Sequence, residues 1–282
     1  MNLLSQIDLD DIIRRAIAED VGQGDITTAA TVPAGKRGRA RIVVKEPEVI
    51  LAGGLLIERV FALTGAAPRM TSLAAEGARL RQGDVLAEID GMLAGLLIGE
   101  RVALNFVQLM SGIATVTRRF VDAVAGTRAR IVDTRKTHPG LRALEKYAVR
   151  AGGGHNHRFG LDSGILIKEN HIAAAGSVTA AIEGARRVAP HTFRVEIECE
   201  TLAQVEEARR AGADAILLDN MALVDIHLAR KVAGDAAILE VSGGVSLKTV
   251  RAIAETGIDI ISVGAVTHSA RAVDISMRIE GA

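Results

Sequence analysis

From Arg130 onward the sequence repeats one pattern, in which an apolar, β-rich run ends in a polar or glycine residue and is followed by a helical stretch. The last four runs end at Glu198, Asp219, Ser242 and Gly264, at intervals of about 22 residues. Such an interval accommodates a strand, a short loop and a helix. Near-continuous apolar runs such as AILL and DIISV are typical of parallel strands covered on both faces. The sequence therefore predicts an α/β fold built from consecutive βα units.

Repeated βα units form either a barrel or an open doubly wound sheet. In a barrel, functional groups converge from the C-terminal ends of several strands, whereas an open sheet concentrates them at one switch point. A candidate functional group follows each of these strands, so we expect a barrel. About six units can be counted, which predicts an incomplete, TIM-like barrel with fewer than eight regular strands.

The first part of the chain lacks this repeat. Residues 7–17 have the spacing of an amphipathic helix, and residues 39–91 contain short strand-like runs around one helix. We therefore expect an α/β domain at 1–115 and a barrel domain at 116–269. Residues 270–282 can return to the first domain.

Charge and composition argue against several classes of protein. Lys and Arg number 34 and so do Asp and Glu, so no overall field favours nucleic acid or an anionic membrane. The single cysteine, Cys199, excludes an intramolecular disulfide. Apolar runs are interrupted before about 18 residues, which predicts no transmembrane helix, and the N-terminus does not resemble a signal peptide. A soluble cytoplasmic protein is expected.

Positive charge is nevertheless concentrated in residues 133–171. Arg135 and Lys136 follow the apolar pair Ile131-Val132, and Lys168 follows another apolar run. A long cation at the end of a buried strand is costly unless it meets an opposite charge. These side chains are therefore expected either to bind an anion or to form structural ion pairs.

Within the same segment, a helix is predicted to begin after Pro139. Arg142, Lys146 and Arg150 are expected on its outer face, since apolar residues recur between them.

Two carboxylates, Glu198 and Asp219, follow neighbouring predicted strands. Carboxylate oxygens of this kind hold Mg²⁺ together with substrate phosphates and water. The alternative is that they pair with Lys136 or Lys168.

Two glycine loops follow the last strands. Residues 242–244 (Ser-Gly-Gly) precede a helix predicted at 247–255, and residues 263–265 (Val-Gly-Ala) follow the next strand. Glycine lets backbone N–H groups approach a phosphate closely, and a barrel commonly binds phosphate at these loops. His268 either contacts that phosphate or caps a turn. Arg101, beside Glu100, has the pattern of a charged pair on a helix surface.

Taken together, these stretches resemble the quinolinate phosphoribosyltransferase family, also called carboxylating nicotinate-nucleotide pyrophosphorylases. The resemblance rests on ALNFVQLMSGIAT at 103–115, DTRKTHPGLRALEKYAVRAGGG, HRFGLDSGILIKENHI, VEIECE, LLDN, VSGGV and VGAVTHS, with EDVGQGDIT near the N-terminus. It covers nearly the whole chain in order, and the HRFGL…LIKENH block is its most specific part.

The resemblance implies an activity and an architecture. Enzymes of this family join quinolinate to phosphoribosyl pyrophosphate with Mg²⁺, giving nicotinate mononucleotide, pyrophosphate and CO₂ in NAD biosynthesis. The implied fold is an N-terminal α/β sandwich followed by an incomplete α/β barrel. The implied assembly is a homodimer whose active site receives Arg101 from the neighbouring subunit, which replaces the surface interpretation of that residue.

The resemblance also assigns individual residues. Quinolinate carboxylates would be held by Arg101, Arg135, His157, Arg158 and Lys168. The phosphoribosyl pyrophosphate end, its ribose, metal and phosphate would be served by Thr134, Lys136, Lys168, Glu198, Asp219, the loops 242–244 and 263–265, and His268. Lys136, Lys168, Glu198 and Asp219 are the catalytic candidates, and Glu198 and Asp219 the metal ligands.

Two other functions remain open at this stage. A phosphoribosyltransferase-like paralogue associated with molybdate transport shares the fold, but its relatives differ at the LIKENH block. A regulatory protein that only binds a phosphorylated metabolite would keep the glycine loops, yet it would not need Glu198, Asp219 and two separate sets of cations.

Overall fold

The computed structural model describes residues 9–280. Its helices are α1 (Leu9–Val21), α2 (Ile26–Thr31), α3 (Gly54–Leu63), α4 (Leu93–Ala123), α5 (Arg142–Ala151), α6 (Glu169–Ala175), α7 (Val178–Val188), α8 (Leu202–Arg210), α9 (Leu223–Ala233), α10 (Val250–Glu255) and α11 (Ala265–His268). Its strands are β1 (Arg37–Val44), β2 (Glu48–Ile50), β3 (Arg69–Leu73), β4 (Arg79–Arg81), β5 (Val85–Met92), β6 (Arg130–Val132), β7 (Ile165–Ile167), β8 (Val195–Cys199), β9 (Ala215–Asp219), β10 (Ile238–Ser242), β11 (Ile260–Ser262) and β12 (Ile275–Glu280).

The chain divides into two compact units. The first contains the described residues up to Arg118, residues 137–153 and the residues from Thr267 onward. The second contains residues 119–136 and 154–266. The sequence had placed 116–269 in one continuous domain, whereas this division assigns the segment that carries α5 to the first unit.

An antiparallel sheet forms the framework of the first unit. Its strand order is β12-β1-β5-β3, and β2 and β4 form a separate pair. Burial alternates along β1, with Ala40, Ile42 and Val44 inside, as the period of two for a half-buried strand requires. The last described strand pairs with β1 from Val44↔Ile275 to Arg39↔Glu280, so the C-terminal segment completes this sheet.

Helix α4, with 31 residues, is the longest element among residues 9–280, and its residues 93–118 belong to the first unit. Ser111 and Thr115 on this helix accept hydrogen bonds from the backbone N–H groups of Ala52 and Ile50, at 3.1 and 2.9 Å. By length and composition the helix could cross a membrane, which the interrupted apolar runs had not suggested. Yet 56% of its most apolar window is buried inside the fold, as is usual for a core helix.

Helix α5 differs from its sequence-based prediction at one position. Lys146 is completely buried, so the prediction of an outer face is wrong for that residue, whereas Arg150 is exposed. The reason is that the helix buries more than one stripe, including Glu145 next to Lys146. Glu145 accepts a hydrogen bond from His138, and burial raises the pKa of the Glu145 carboxyl.

A six-stranded parallel sheet forms the second unit. The strand order is β6-β11-β10-β9-β8-β7, and each strand is followed along the chain by a helix or turn of the predicted βα pattern. The prediction of about six βα units is thereby confirmed. Alternation places Glu196 and Glu198 on one face of β8, and Cys199 is buried on the other. Burial raises the pKa of the Cys199 thiol to about 12, so it carries its proton.

Candidate active site

A cavity of about 580 Å³ lies at the C-terminal ends of the strands in the second unit. Most of its charged groups lie near the ends of these strands, as expected for this sheet topology: Arg135 and Lys136 in the segment after β6, Lys168 directly after β7, and Glu198 and Asp219 near or at the ends of β8 and β9. It is lined by Thr134, Arg135, Lys136, His157, Arg158, Leu166, Lys168, Glu198, Leu217, Asp219, Asn220, Glu240, Ser242, Gly243, Gly244 and Ser262.

The cationic wall of the cavity comes from three separate segments. Arg135 and Lys136 follow β6, Arg158 belongs to the loop before β7, and Lys168 follows β7. Burial lowers the pKa of Arg158, and the nearby Arg135 guanidinium lowers it further. Arg158 nevertheless remains a cation at neutral pH. Four long cations facing one cavity form a site suited to a multiply charged anion.

Asp133 holds part of this wall in place. Its side chain is completely buried, and its carboxylate accepts hydrogen bonds from the backbone N–H of His157 at 2.9 Å and from the Asn156 amide. Asp133 N–H in turn donates to the His155 carbonyl at 3.1 Å. No role for Asp133 was expected from the sequence. Its signal was an acidic residue directly after a buried apolar run.

His157 faces inward from the same loop. Its Nδ1 accepts a hydrogen bond from the Arg158 backbone N–H at 2.7 Å, which leaves the ring proton on Nε2. Nε2 lies 3.2 Å from Glu196 Oε2 and 3.6 Å from Glu240 Oε1. These three side chains have the spacing of a metal site. A metal ion would need a lone pair on Nε2, so the hydrogen bond at Nδ1 opposes that use.

Lys168 forms an ion pair with Glu198 across the cavity. The alternative considered from the sequence, a carboxylate paired with a lysine, is therefore realised at Glu198. Burial raises the pKa of Glu198, and the neighbouring Lys168 ammonium opposes that rise. The backbone of Lys168 is fixed because its N–H donates to His171 Nδ1 at 2.9 Å, at the start of α6.

Asp219 is oriented by its neighbour Asn220. Asn220 has a left-handed backbone conformation with φ of 53°, and its amide donates to Asp219 Oδ2 at 2.7 Å. A Cβ at Gly243 would lie 2.2 Å from Asn220 Oδ1, so only glycine fits beside it. Gly244 also adopts a left-handed conformation, with φ of 59°, which favours glycine. The glycine loop, the amide and the carboxylate thus form one packed arrangement.

The helix after this loop is shorter than predicted. It was expected at 247–255 but begins at Val250, because the N–H groups of Thr249 and Val250 both donate to the Ser246 carbonyl and close a turn first. A phosphate in the cavity would therefore meet the backbone of loop 242–244 rather than the end of a long helix.

Glu198 and Asp219 fit a magnesium ion by their chemistry. They stand on adjacent parallel strands and line the same cavity, and carboxylate oxygens are ligands that Mg²⁺ accepts alongside substrate phosphates.

Some predicted site residues do not line this cavity. Among residues 9–280, this group includes Arg101, the loop 263–265 and His268. Arg101 is exposed, and its Nη2 lies 3.9 Å from Glu100 Oε1. In the loop 263–265, the Val263 N–H donates to the Val132 carbonyl at 2.9 Å. His268 Nδ1 is hydrogen-bonded to Ser269 Oγ at 2.6 Å. Their assignments remain predictions.

Comparison with known proteins decides the family. The family model described as quinolinate phosphoribosyl transferase, N-terminal domain, matches residues 25–111, and the model of the C-terminal domain matches residues 113–278. The chain belongs to the quinolinate phosphoribosyltransferase family. Its resemblance to that family, inferred from the motifs, is confirmed.

Individual relatives agree along almost the full length. The nicotinate-nucleotide pyrophosphorylase (carboxylating) of Mycobacterium leprae is 46% identical, over 98% of this chain and 99% of its own. The probable enzyme of the same name from Bacillus subtilis is 42% identical, over 98% and 95%. The crystal structure of NadC from Streptococcus pyogenes superposes with a TM-score of 0.92 at 43% identity, covering 96% of this chain and 95% of the other.

Membership in the family establishes the reaction class. The chain is a pentosyltransferase that transfers phosphoribosyl from phosphoribosyl pyrophosphate to quinolinate with decarboxylation, giving nicotinate mononucleotide in NAD biosynthesis. The fold prediction, an N-terminal α/β sandwich followed by an incomplete, TIM-like α/β barrel, agrees with solved NadC and nicotinate-nucleotide pyrophosphorylase structures, and the chain has an antiparallel sheet and a six-stranded parallel sheet.

Proposed function

We propose that both substrates of this reaction meet in the C-terminal-end cavity of the second unit. The observation that carries the proposal is the convergence on one 580 Å³ space of four cations, two carboxylates and a glycine loop. A neutral protein that binds two polyanions needs local positive charge of this kind.

The quinolinate end is assigned to Arg135, Arg158 and Lys168. An arginine fork pairs with a carboxylate through two hydrogen bonds and sets its orientation as well as its affinity. Arg158 Nη1 donates to the Gly164 carbonyl at 3.0 Å, which fixes the guanidinium plane. The resemblance also assigns His157 to quinolinate. Its ring would support this end indirectly, because His157 Nδ1 accepts a hydrogen bond from the Arg158 backbone N–H.

The phosphoribosyl pyrophosphate end is assigned to Lys136, Glu198, Asp219 and the loop 242–244. Glu198 and Asp219 would hold Mg²⁺, which when bound neutralises charge on the departing pyrophosphate. The backbone of the loop would receive the 5′-phosphate. Thr134, whose hydroxyl accepts the Lys136 backbone N–H at 3.0 Å, would keep Lys136 turned toward this end.

The chemistry then follows from positioning and charge. Glu198 or Asp219 stabilises an oxocarbenium-like ribose as pyrophosphate leaves, and the pyridine nitrogen attacks C1 of the ribose. Once the ring nitrogen is quaternary, the adjacent ring carbon can carry the electron pair that CO₂ leaves behind. No covalent bond to the protein is needed, since a fixed, water-poor pocket lowers the entropic part of the barrier.

A homodimer completes the proposal, with Arg101 reaching the quinolinate end of its partner's cavity. The pair that Arg101 makes with Glu100 is exposed and 3.9 Å long, so it offers little that would hold the side chain back. Mixing an Arg101→Ala subunit with a Lys168→Ala subunit tests this. If subunits exchange at random, about a quarter of wild-type activity returns, because each hybrid dimer keeps one complete site. No recovery in verified hybrids would contradict the sharing.

The activity itself is tested by release of labelled CO₂. Carboxyl-labelled quinolinate is incubated with phosphoribosyl pyrophosphate and Mg²⁺, with nicotinate offered in a parallel reaction. Release that requires both the donor and the metal, with nicotinate inert, supports the proposal, including its metal. CO₂ release that persists in the presence of a chelator would contradict the proposed requirement for Mg²⁺. We further propose that the enzyme acts in the cytoplasm, where fractionation of the producing cells would find it.

A further inference from the structure

Polar side chains divide the interior of the second unit into two spaces. A further cavity of about 380 Å³ is lined by Ala215, Ile238 and Ile260, the first residues of β9, β10 and β11. It therefore lies toward the N-terminal ends of the strands. His157, Arg158 and Glu240 line both this cavity and the substrate cavity.

Glu240 is the most buried carboxyl of this dividing group. It is the third residue of β10 and only 2% exposed, inside a sheet whose neighbouring positions are apolar. Its Oε1 is shielded from solvent, has no hydrogen-bond partner and lies 3.6 Å from His157 Nε2. Ser262 and Glu196 contact the same carboxyl from β11 and β8.

The surroundings of Glu240 favour its neutral form. Burial, followed by the negative charge of Glu196, raises the pKa of Glu240 to about 8, and His157 and Ser262 offset part of that rise. Glu240 therefore holds a proton at neutral pH. It lines the substrate cavity as an acid, together with Arg135 and Arg158.

The second half of the reaction needs an acid. When CO₂ leaves, the ring carbon next to the quaternary nitrogen keeps an electron pair and must gain one proton. Arg135 and Arg158 cannot give one up, and the proposed function assigns the ammonium groups of Lys136 and Lys168 to holding the negative charges of the two substrates. The ring proton of His157 faces Glu196 and Glu240. Glu198 and Asp219 stand at the ribose end.

We propose that Glu240 protonates the ring carbon from which CO₂ departs. The bond between that carbon and the carboxylate breaks, and its electron pair forms a new C–H bond with the Glu240 proton. The Glu240 carboxylate then takes a proton from water that enters through the second cavity. The inference rests on the proposed placement of quinolinate between Arg135, Arg158 and Lys168.

Rapid-quench single turnovers separate the two halves of the reaction. In Glu240→Gln, the formation of quinolinate mononucleotide should continue. Its conversion to nicotinate mononucleotide should slow by about 100-fold, the loss typical of a missing general acid, so the intermediate accumulates. Glu240→Asp should recover part of the rate, because it restores an acid. Glu206→Gln is the matched control, since it makes the same change at an exposed carboxylate of α8 paired with Arg210, and it should not accumulate the intermediate.

Wild-type conversion without accumulation in Glu240→Gln would overturn the proposal. The proposal would also be overturned if Glu240→Gln, with unchanged thermal stability, slowed the formation of quinolinate mononucleotide as much as its conversion to nicotinate mononucleotide. If Glu240→Gln does not fold, the wild-type enzyme decides: the conversion step should slow as the pH rises through about 8, and a flat profile overturns the proposal. Failure of the quinolinate placement is distinguishable, because Arg135→Ala would then leave the first half intact.

Discussion

Charged side chains cluster at both ends of the six-stranded sheet, but the two clusters are built differently. At the C-terminal ends, cations and carboxylates line a cavity beside glycines. At the N-terminal ends, Asp259 pairs with Arg230 and with Arg128 at 2.5 Å, and its carboxylate accepts the Leu239 backbone N–H at 3.0 Å. Asp214 likewise accepts the Val195 N–H at 2.7 Å.

The difference separates function from stability in residues of the same type. At the N-terminal ends, each aspartate ties one strand to the next, so its charge is used within the fold. At the C-terminal ends, the charges face a space large enough for substrates. This is the division expected of barrel-like sheets, where residues after the strands act on ligands and those before the strands support the structure.

The largest effect is expected for Arg135→Ala. Removing a charged hydrogen bond to a substrate carboxylate should lower kcat/KM for quinolinate, and the decrease should correspond to a loss of about 2–4 kcal/mol of transition-state stabilisation. The melting temperature should be unchanged. Arg128→Ala, an arginine lost from the N-terminal end, is the control and should keep wild-type kinetics. Near-normal quinolinate kinetics in Arg135→Ala would contradict the assignment of substrate binding to the charges at the C-terminal ends of the strands.

Asp259→Ala should show the opposite behaviour. It leaves Arg230 without its main counter-charge and Leu239 N–H without an acceptor, which should lower the free energy of unfolding by about 1–3 kcal/mol. Its kcat/KM at low temperature should remain normal. Asp235→Ala is the matched control, because the Asp235 side chain is 93% exposed and its Oδ1 lies 3.8 Å from Arg230 Nη1. This substitution should lower the free energy of unfolding by at most about 1 kcal/mol. Denaturant unfolding measures both.

A smaller effect is expected for Asn220→Gly. Glycine accepts the left-handed conformation, so the fold is kept, but the amide that orients Asp219 is lost. Removing such an outer partner of a metal ligand typically costs about tenfold, and we expect that loss in the apparent affinity for Mg²⁺. Asn220→Ala, which adds backbone strain, should also lower the melting temperature. Unchanged magnesium dependence in the glycine variant would contradict the orienting role.

The smallest effect is expected for Cys199. The thiol is buried and protonated, since burial raises its pKa to about 12. Incubation of the folded enzyme with iodoacetamide should therefore leave activity unchanged, although Cys199 adjoins Glu198. Mass spectrometry should find the thiol unmodified until denaturant is added. Rapid inactivation at neutral pH would show that the strand opens.

The sequence predicted what depends on local pattern. The βα repeat located the strands, and residues at strand ends such as Lys168, Glu198 and Asp219 followed from it, because parallel strands bring their C-terminal ends together. The motifs then supplied the family. Strand periodicity also accounts for Cys199, which is buried on the face of β8 opposite to Glu198.

What the sequence analysis missed depends on packing between distant segments. The roles of Asp133 and Asn220 follow from hydrogen bonds across loops, and the burial of Lys146 follows from contacts on a second helix face. Glu240 carried a signal that was overlooked: it is an acid inside the apolar run AILEVS, where burying a charge is costly. An acid in that setting predicts a shared or retained proton.

A crystal structure with quinolinate bound tests the central claim most directly. We expect the two carboxylates of the ligand within hydrogen-bond distance of Arg135, Arg158 and Lys168, at the C-terminal ends of the strands, with Asp259 and its arginine partners unchanged. Quinolinate bound elsewhere in the second unit, with those three side chains making no contact to it, would contradict the account.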